Sequence, residues 1–209
     1  KDGVADAFVS AGHTGAIMAS SILTLGRIEG LKRPAAAAYI PTPKGGKILC
    51  DVGVNPDARP EHMLQFAIMA STYFDHVEGK NKPKIALVNI GTEPSKGSEL
   101  YQETHRLLRD ELPDDFIGNV EGRDVLDGDV DVLVADGFTG NVILKTLEGT
   151  VQFLVNQIIS ALSTDDAAEV GTQALGHLAP IAAELNPDAV GGAMLLGVNG
   201  VAIISHGSA

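Results

Sequence analysis

Several features that would assign a compartment or a partner are missing from the 209-residue sequence. Cys50 is the only cysteine, so no internal disulfide can form, which fits a reducing cytoplasm. No run of 18 apolar residues occurs, although 44% of the residues are hydrophobic, and no signal peptide precedes the first strand pattern. We therefore predict a soluble cytoplasmic protein. Because the chain begins with Lys1 rather than methionine, we expect a fragment of a longer protein.

Positive charge is scarce and unevenly distributed. The net charge is −12, which argues against a nucleic-acid partner. Every lysine and arginine lies at or before Lys145, so residues 146–209 cannot form a generic basic membrane-binding surface.

The common cofactor and metal motifs are also missing. Gly12 to Gly15 has the spacing G-x-x-G rather than the G-x-G-x-x-G of dinucleotide folds, and residues 44–47 do not form a phosphate-binding P-loop. The acids at 127–129 lack the calcium-loop pattern, and neither G-x-S-x-G nor a Cys/His cluster occurs. The sequence thus predicts no metal and no nucleotide cofactor.

What the sequence does contain is a repeated unit of strand, glycine turn and helix. This unit occurs at residues 6–25, 48–74, 84–112 and 130–162, which predicts an α/β fold with a largely parallel sheet. The length favours a single domain over 1–209. Helical patterns at 141–162 and 167–185 predict a hairpin, apolar on several sides, which suits a subunit interface, a core or a lipid-facing tip.

The segment from Val130 to Thr146 shows the unit most clearly. A buried strand ends at Ala135-Asp136, a turn follows over 137–141, and helical spacing then begins. The first turn of a helix carries unpaired N–H groups and the positive end of the helix dipole, so we expect it to attract phosphate or an oxyanion.

In a parallel sheet the strand carboxyl ends share one edge, where ligands bind. The following residues would gather there: Ser10, Thr14, Asp51, Asn55, Thr92, Lys96, Asn141, Lys145 and His206. Hydroxyl, amide and ammonium groups of this kind suit anion binding and carbonyl polarisation better than redox chemistry or serine hydrolysis. From the residues alone, the prediction is phosphate or acyl-group handling.

Seven motifs together resemble one family. They are VSAGHTGAIMA, DVGVNPDARPEHMLQFA, NIGTEPSKGSEL, GNVEGRD, DGFTGNVILKT, GGAMLLGVNG and HGS, in this order between Phe8 and Ser208. The set is similar to the phosphate acyltransferase (acyl-carrier-protein:phosphate transacylase) family of bacterial phospholipid synthesis. The resemblance implies a three-layer α/β/α sandwich related to phosphotransacetylases and to isocitrate and isopropylmalate dehydrogenases, with a protruding helical hairpin at 146–186.

The resemblance also implies a reaction and partners. Acyl-ACP and inorganic phosphate would give acyl phosphate, which a membrane acyltransferase uses to acylate glycerol 3-phosphate. The enzyme would be a homodimer that needs no metal or nucleotide and associates peripherally with membrane through the hairpin.

Site residues follow motif by motif. The resemblance implies catalytic roles for Lys96, which would hold phosphate, and Asn141, which would orient the thioester carbonyl or oxyanion; Cys50 need not react. The implied substrate-binding residues are Ser10, His13, Thr14, Gly15, Asp51, Asn55, Gly91, Thr92, Asp136, Gly137, Thr139, Gly140, Lys145 and His206. His206 is open between a proton-handling and a structural role.

The sequence departs from the family pattern in two respects. His13 stands where the family has Asn, and the hairpin has no basic residue. If the chain is a fragment, we expect it to lack an N-terminal βα segment and a terminal helix of the family. Acidic ACP would need a local basic patch, for which Arg27, Lys32 and Arg33 are one option. The alternative functions are a phosphotransacetylase acting on acyl-CoA and a non-catalytic scaffold that binds ACP or membrane.

Overall fold

The computed structural model describes residues 3, 5–42, 45–163, 168–184 and 192–205, which form strands and helices in alternation. The strands are β1 Ala7–Ser10, β2 Ala35–Ile40, β3 Lys47–Cys50, β4 Ile85–Asn89, β5 Phe116–Glu121, β6 Val132–Val134, β7 Ala193–Leu196 and β8 Val201–Ile204. The helices are α1 Thr14–Leu25, α2 Pro60–Glu78, α3 Glu99–Glu111, α4 Asp124–Asp127, α5 Gly137–Leu162 and α6 Ala168–Glu184.

All eight strands belong to one sheet in the order β1-β8-β7-β2-β3-β6-β4-β5. The pairs β1–β8, β3–β6, β6–β4 and β4–β5 are parallel, whereas β8–β7, β7–β2 and β2–β3 are antiparallel. Three successive reversals mean that β1 and β8 run opposite to β3, β6 and β4. The sheet is therefore mixed.

Helices cover both faces of the sheet, which confirms the predicted α/β/α layers. On one face, Met63, Phe66 and Phe74 of α2 and Leu108 of α3 pack on the central strands. On the other face, Leu144 and Leu147 of α5 pack against a separate cluster. Helix α1 lies on the same face as α5. Ile22 and Leu25 of α1 pack against a third cluster, which contains Leu195. Leu195 is paired with Ala36 of the α5 cluster, and paired residues point to the same face of a sheet.

The local predictions hold for most elements, with three differences. The single turn of helix α4 was not predicted. Strand β7 was not predicted, since AMLL follows a glycine pair and is only four residues long. Helix α5 begins at Gly137 rather than at 141, because Asp136 caps it and brings the predicted turn into the helix. Among the described residues α5 and α6 lie against each other, since a Cβ on Gly171 of α6 would lie 2.0 Å from the Leu162 carbonyl oxygen of α5.

Candidate active site

The loop after β3 is organised around the buried carboxylate of Asp51. Its oxygens accept hydrogen bonds from the Ala36 amide (2.9 Å), the Asn55 amide (2.6 Å) and the Asn55 side-chain nitrogen (2.9 Å). The same nitrogen of Asn55 donates to the Pro34 carbonyl at 2.8 Å. Burial raises the pKa of Asp51 above its ordinary value, while these hydrogen bonds oppose that rise. Asp51 and Asn55 therefore fix the shape of the loop.

The first turn of α5 lies directly against this loop. A Cβ on Gly137 would stand 2.6 Å from the Asn55 nitrogen, and one on Gly140 would stand 1.9 Å from the Asp51 carbonyl oxygen. Only residues without a side chain permit this approach. Gly137 and Gly140 thus allow the loop after β3 and the first turn of α5 to pack against each other.

The amide groups of this first turn already have acceptors. The Asp136 carboxylate accepts from the amides of Phe138 (2.9 Å) and Thr139 (3.0 Å) and from the Thr139 hydroxyl (2.7 Å). The Gly137 amide donates to the Asn55 carbonyl, and the Gly140 amide to the Asp136 carbonyl, both at 2.9 Å. The prediction that unpaired N–H groups here attract an anion is therefore wrong, since a protein carboxylate occupies that position.

Asn141 is the first polar side chain of α5 that projects beyond this junction. It is exposed, and its Oδ1 would lie 3.4 Å from a Cβ on Gly53, in the loop after β3. Its carboxamide therefore lies above the two packed loops, within reach of a ligand.

Lys96 lies in the loop after β4, and three carboxamide side chains hold that loop by its carbonyl groups. Asn89 donates to the Lys96 carbonyl (3.1 Å), Asn119 to that of Glu93 (2.8 Å), and Gln102 to those of Ser95 (2.9 Å) and Gly97 (3.1 Å). The loop backbone is thus fixed from β4, β5 and α3.

The side chain of Lys96 remains outside this network. Its ammonium is 3.9 Å from Glu93 Oε1, and the side chain is 46% exposed. A solvated pair at that distance contributes little, so the charge can be used by a ligand.

Tyr101 joins the Lys96 loop region to the Asn141 turn. Its hydroxyl donates to Asp136 Oδ2 at 2.5 Å. Burial, and then this hydrogen bond, raise the pKa of Tyr101 well above its ordinary value, so it stays protonated as a donor. Strands β3, β6 and β4 are parallel, so the loops of Asp51, Asp136 and Lys96 lie at one sheet edge.

Strand β1 runs opposite to β3, because the sheet is mixed. The pairing register nevertheless places Ser10 level with Leu49, one residue before the end of β3, with β8, β7 and β2 between the two strands. His13 caps α1, its Nδ1 accepting from the Gly15 amide at 3.1 Å. His206 lies outside the described residues.

Part of the β1–α1 turn lies near Asn141 of α5. Gly12, Thr14, Asn141 and Lys145 line one cavity of about 310 Å³ beside α5. The Lys145 ammonium is 2.7 Å from Glu148 Oε2, so its charge is balanced there.

The supporting residues were not predicted. Asn89, Gln102, Asn119 and Tyr101 act through contacts between separate elements, and no spacing in the sequence reveals them. The nearest signal is the amide Asn89 at the end of β4.

No group of three or more His, Cys, Asp or Glu side chains among the described residues could hold a metal ion. Within the same residues, no helix is long and apolar enough to cross a membrane.

Comparison with known proteins gives consistent results. A family model described as "Fatty acid synthesis protein" matches residues 1–209. The chain is 51% identical to the phosphate acyltransferases of Desulfitobacterium hafniense and Heliobacterium modesticaldum. Each alignment covers all of this chain; it covers 63% of the D. hafniense protein and 62% of the H. modesticaldum protein. A phosphotransacetylase from Streptococcus pyogenes has a similar structure, with a TM-score of 0.61 and 16% identity over 99% of this chain and 59% of that one. The structural likeness concerns the fold alone.

Proposed function

The chain belongs to the fatty acid synthesis protein family, and we propose that it transfers a fatty acyl group from acyl-ACP to inorganic phosphate. The products are acyl phosphate, for acylation of glycerol 3-phosphate by a membrane acyltransferase, and free ACP. The names and 51% identity of its relatives support acyl transfer involving phosphate. Because the chain spans about three fifths of their length, activity, substrates and partners all belong to this proposal.

The observation that carries the proposal is the position of Asn141. Its carboxamide lies at the junction of the Asp51 loop and α5 and also lines a largely apolar cavity. A polar donor beside an apolar cavity suits a thioester, whose carbonyl is polar and whose chain is not.

In the proposed reaction a phosphate oxygen attacks the thioester carbonyl carbon. The C–S bond breaks, the acyl group moves to phosphate, and the ACP thiol takes the proton that phosphate loses. Lys96 attracts the phosphate dianion, and Asn141 donates a hydrogen bond to the oxygen that becomes negative. Asp51, Asn55, Asp136, Gly137 and Gly140 position these groups, and Thr14 lines the cavity beside Asn141.

The nearest alternative is a phosphotransacetylase that uses acyl-CoA, and a more distant one is a non-catalytic scaffold. The cavity favours a long acyl chain, since an acetyl group leaves most of 310 Å³ empty. The exposed Lys96 and Asn141 favour turnover over a scaffold.

The test is phosphate-dependent release of ACP from hexadecanoyl-ACP, compared with release of CoA from acetyl-CoA. We expect release from the ACP donor, with large losses in Lys96→Ala and Asn141→Ala. Arg106→Ala removes one positive charge from an exposed position of α3 and is the matched control. Preference for acetyl-CoA would favour the alternative enzyme, and absence of phosphate-dependent release from either donor in a folded preparation would favour the scaffold.

For ACP docking we propose Arg27, Lys32 and Arg33, which lie between α1 and β2. Arg33 is 2.8 Å from Asp57, and Lys32 is 3.5 Å from Glu61. The Arg33 guanidinium lowers the pKa of Asp57, and an acidic group of ACP would compete with Asp57 for it. Arg33→Glu should weaken ACP binding and leave thermal unfolding nearly unchanged; unaltered ACP binding would exclude the patch.

Peripheral membrane contact and a homodimer are proposed for the hairpin. Phe153, Leu154 and Ile159 of α5 are 61%, 51% and 45% exposed, which leaves an apolar surface without a partner among the described residues. Phe153→Glu should reduce either co-sedimentation of the protein with lipid vesicles or the fraction of dimer in solution. If both quantities match those of the unmodified chain, this surface neither binds membrane nor forms a dimer.

A further inference from the structure

The cavity beside α5 is a groove between that helix and the sheet. We define the α5 groove by six apolar residues: Ala38, Leu126, Leu144, Leu147, Val151 and Ala193. Its volume of about 310 Å³ falls at the lower end of the range of small-molecule sites. Protein interiors are otherwise close-packed, so a space of this size needs a cause.

Small residues in the sheet create the space. Strand β2 reads AAAAYI, although strands favour β-branched and aromatic residues. Ala38 is paired with Ala193 of β7, and both belong to the cluster on the α5 face. Two neighbouring methyl groups therefore stand where larger side chains would fill the gap beneath α5.

The charge of the groove indicates an uncharged ligand. Lys145 and Glu148 both line it, but they form a 2.7 Å ion pair with each other. Phosphate would have to compete with Glu148 for that ammonium. A hydrocarbon chain needs neither charge and buries against the apolar walls.

We propose that the α5 groove binds the hydrocarbon chain of the acyl donor, with the thioester at Asn141 and the chain running along α5 toward Val151. This inference rests on the proposed function and adds to it the location of the chain and the residues that measure its length. The helical rise places Val151 about 15 Å from Asn141 along the axis. A fatty chain can follow that path, whereas an acetyl group occupies only the end near Asn141.

Chain-length selectivity follows from this placement. Each methylene buried in the groove should raise affinity by about fourfold until the chain reaches Val151. A larger residue at the far end should therefore affect long chains and spare short ones.

Two pairs of variants test the groove. Ala38→Ile fills its floor, and Ala19→Ile makes the same change at an exposed position of α1 that does not line the groove. Val151→Phe blocks its far end, and Thr150→Phe adds the same group to an exposed position that does not line the groove. Urea midpoints verify that each variant is folded.

Binding is measured with a fluorescent fatty acid, cis-parinaric acid, and turnover with octanoyl-ACP and hexadecanoyl-ACP. We expect Ala38→Ile to weaken probe binding at least tenfold, and Val151→Phe to lower hexadecanoyl turnover at least tenfold relative to octanoyl. The two controls should behave like the unmodified chain. Folded Val151→Phe with unchanged probe affinity and unchanged chain preference would overturn the inference.

The binding arm separates this inference from the proposed reaction. If probe binding depends on Ala38 and Val151 while no ACP is released with phosphate, the acyl-chain site is supported and the proposed reaction is refuted. If phosphate-dependent release occurs but neither variant changes probe binding or chain preference, the reaction holds and the groove is refuted.

Discussion

Replacement of Gly140 by alanine should destabilise the protein, although alanine is the better helix former. The added Cβ would stand 1.9 Å from the carbonyl oxygen of Asp51, a backbone atom in a fully buried residue. That oxygen cannot move without disturbing the Asp51 hydrogen bonds to Ala36 and Asn55.

The magnitude follows from two opposing effects. Overpacking a buried contact costs up to about 3 kcal/mol, and replacing a helical glycine by alanine gains about 1 kcal/mol. We expect a net loss of about 2 kcal/mol in the free energy of unfolding. With a urea dependence of about 2 kcal/mol per molar, the midpoint should fall by roughly 1 M.

Gly149 provides the control on the same helix. A Cβ there meets nothing within 4 Å, so Gly149→Ala should stabilise the protein by about 0.5–1 kcal/mol. Both variants are compared by urea unfolding followed by circular dichroism. If Gly140→Ala is as stable as Gly149→Ala, the close approach of the Asp51 loop to α5 is not a feature of the folded protein.

Three further predictions concern the supports of the site and of the fold. His13→Ala should lower stability by about 0.5–2 kcal/mol because the α1 cap is lost, whereas His13→Asn should keep it; equal urea midpoints for the two would contradict the cap. Asn119→Ala should raise the KM for phosphate more than it lowers kcat, because the Lys96 loop loosens; Asn81→Ala, in an exposed turn, is the control. Burial, and then Glu78, raise the pKa of Tyr39 from 10.0 to about 12, so between these values the folded state keeps a proton that the unfolded chain loses. The stabilisation by protonated Tyr39 is therefore complete below pH 10, and the free energy of unfolding should fall as the pH rises toward 12. In urea midpoints measured across this pH range, Tyr39→Phe should show a smaller decline.

Local sequence signals were sufficient for most elements. Pro60 with Glu61 marked the start of α2, and the β-branched residues of β6 marked a buried strand. Each of these depends on a few consecutive residues, so it can be read without the rest of the chain.

Strand direction could not be read in the same way. A strand has the same side-chain alternation in either direction, so nothing in Ala7–Ser10 told that β1 runs opposite to β3. The four-residue β7 joins the two halves of the sheet through antiparallel pairs, and without it the change of strand direction could not be predicted. The same limit applied to the first turn of α5, where Asp136 was expected beside a ligand but accepts the helix amides itself.

Motifs and periodicity are local properties, so they were sufficient to predict the layered α/β architecture and the family, and to select Lys96 and Asn141 for testing. The three carboxamides that hold the Lys96 loop, and the need for glycine at position 140, are visible only in the folded chain. The tertiary structure alone showed that Ala38 and Ala193 meet beneath α5 to leave a groove. Each of these depends on distances between residues far apart in the chain, which pairing and packing fix together.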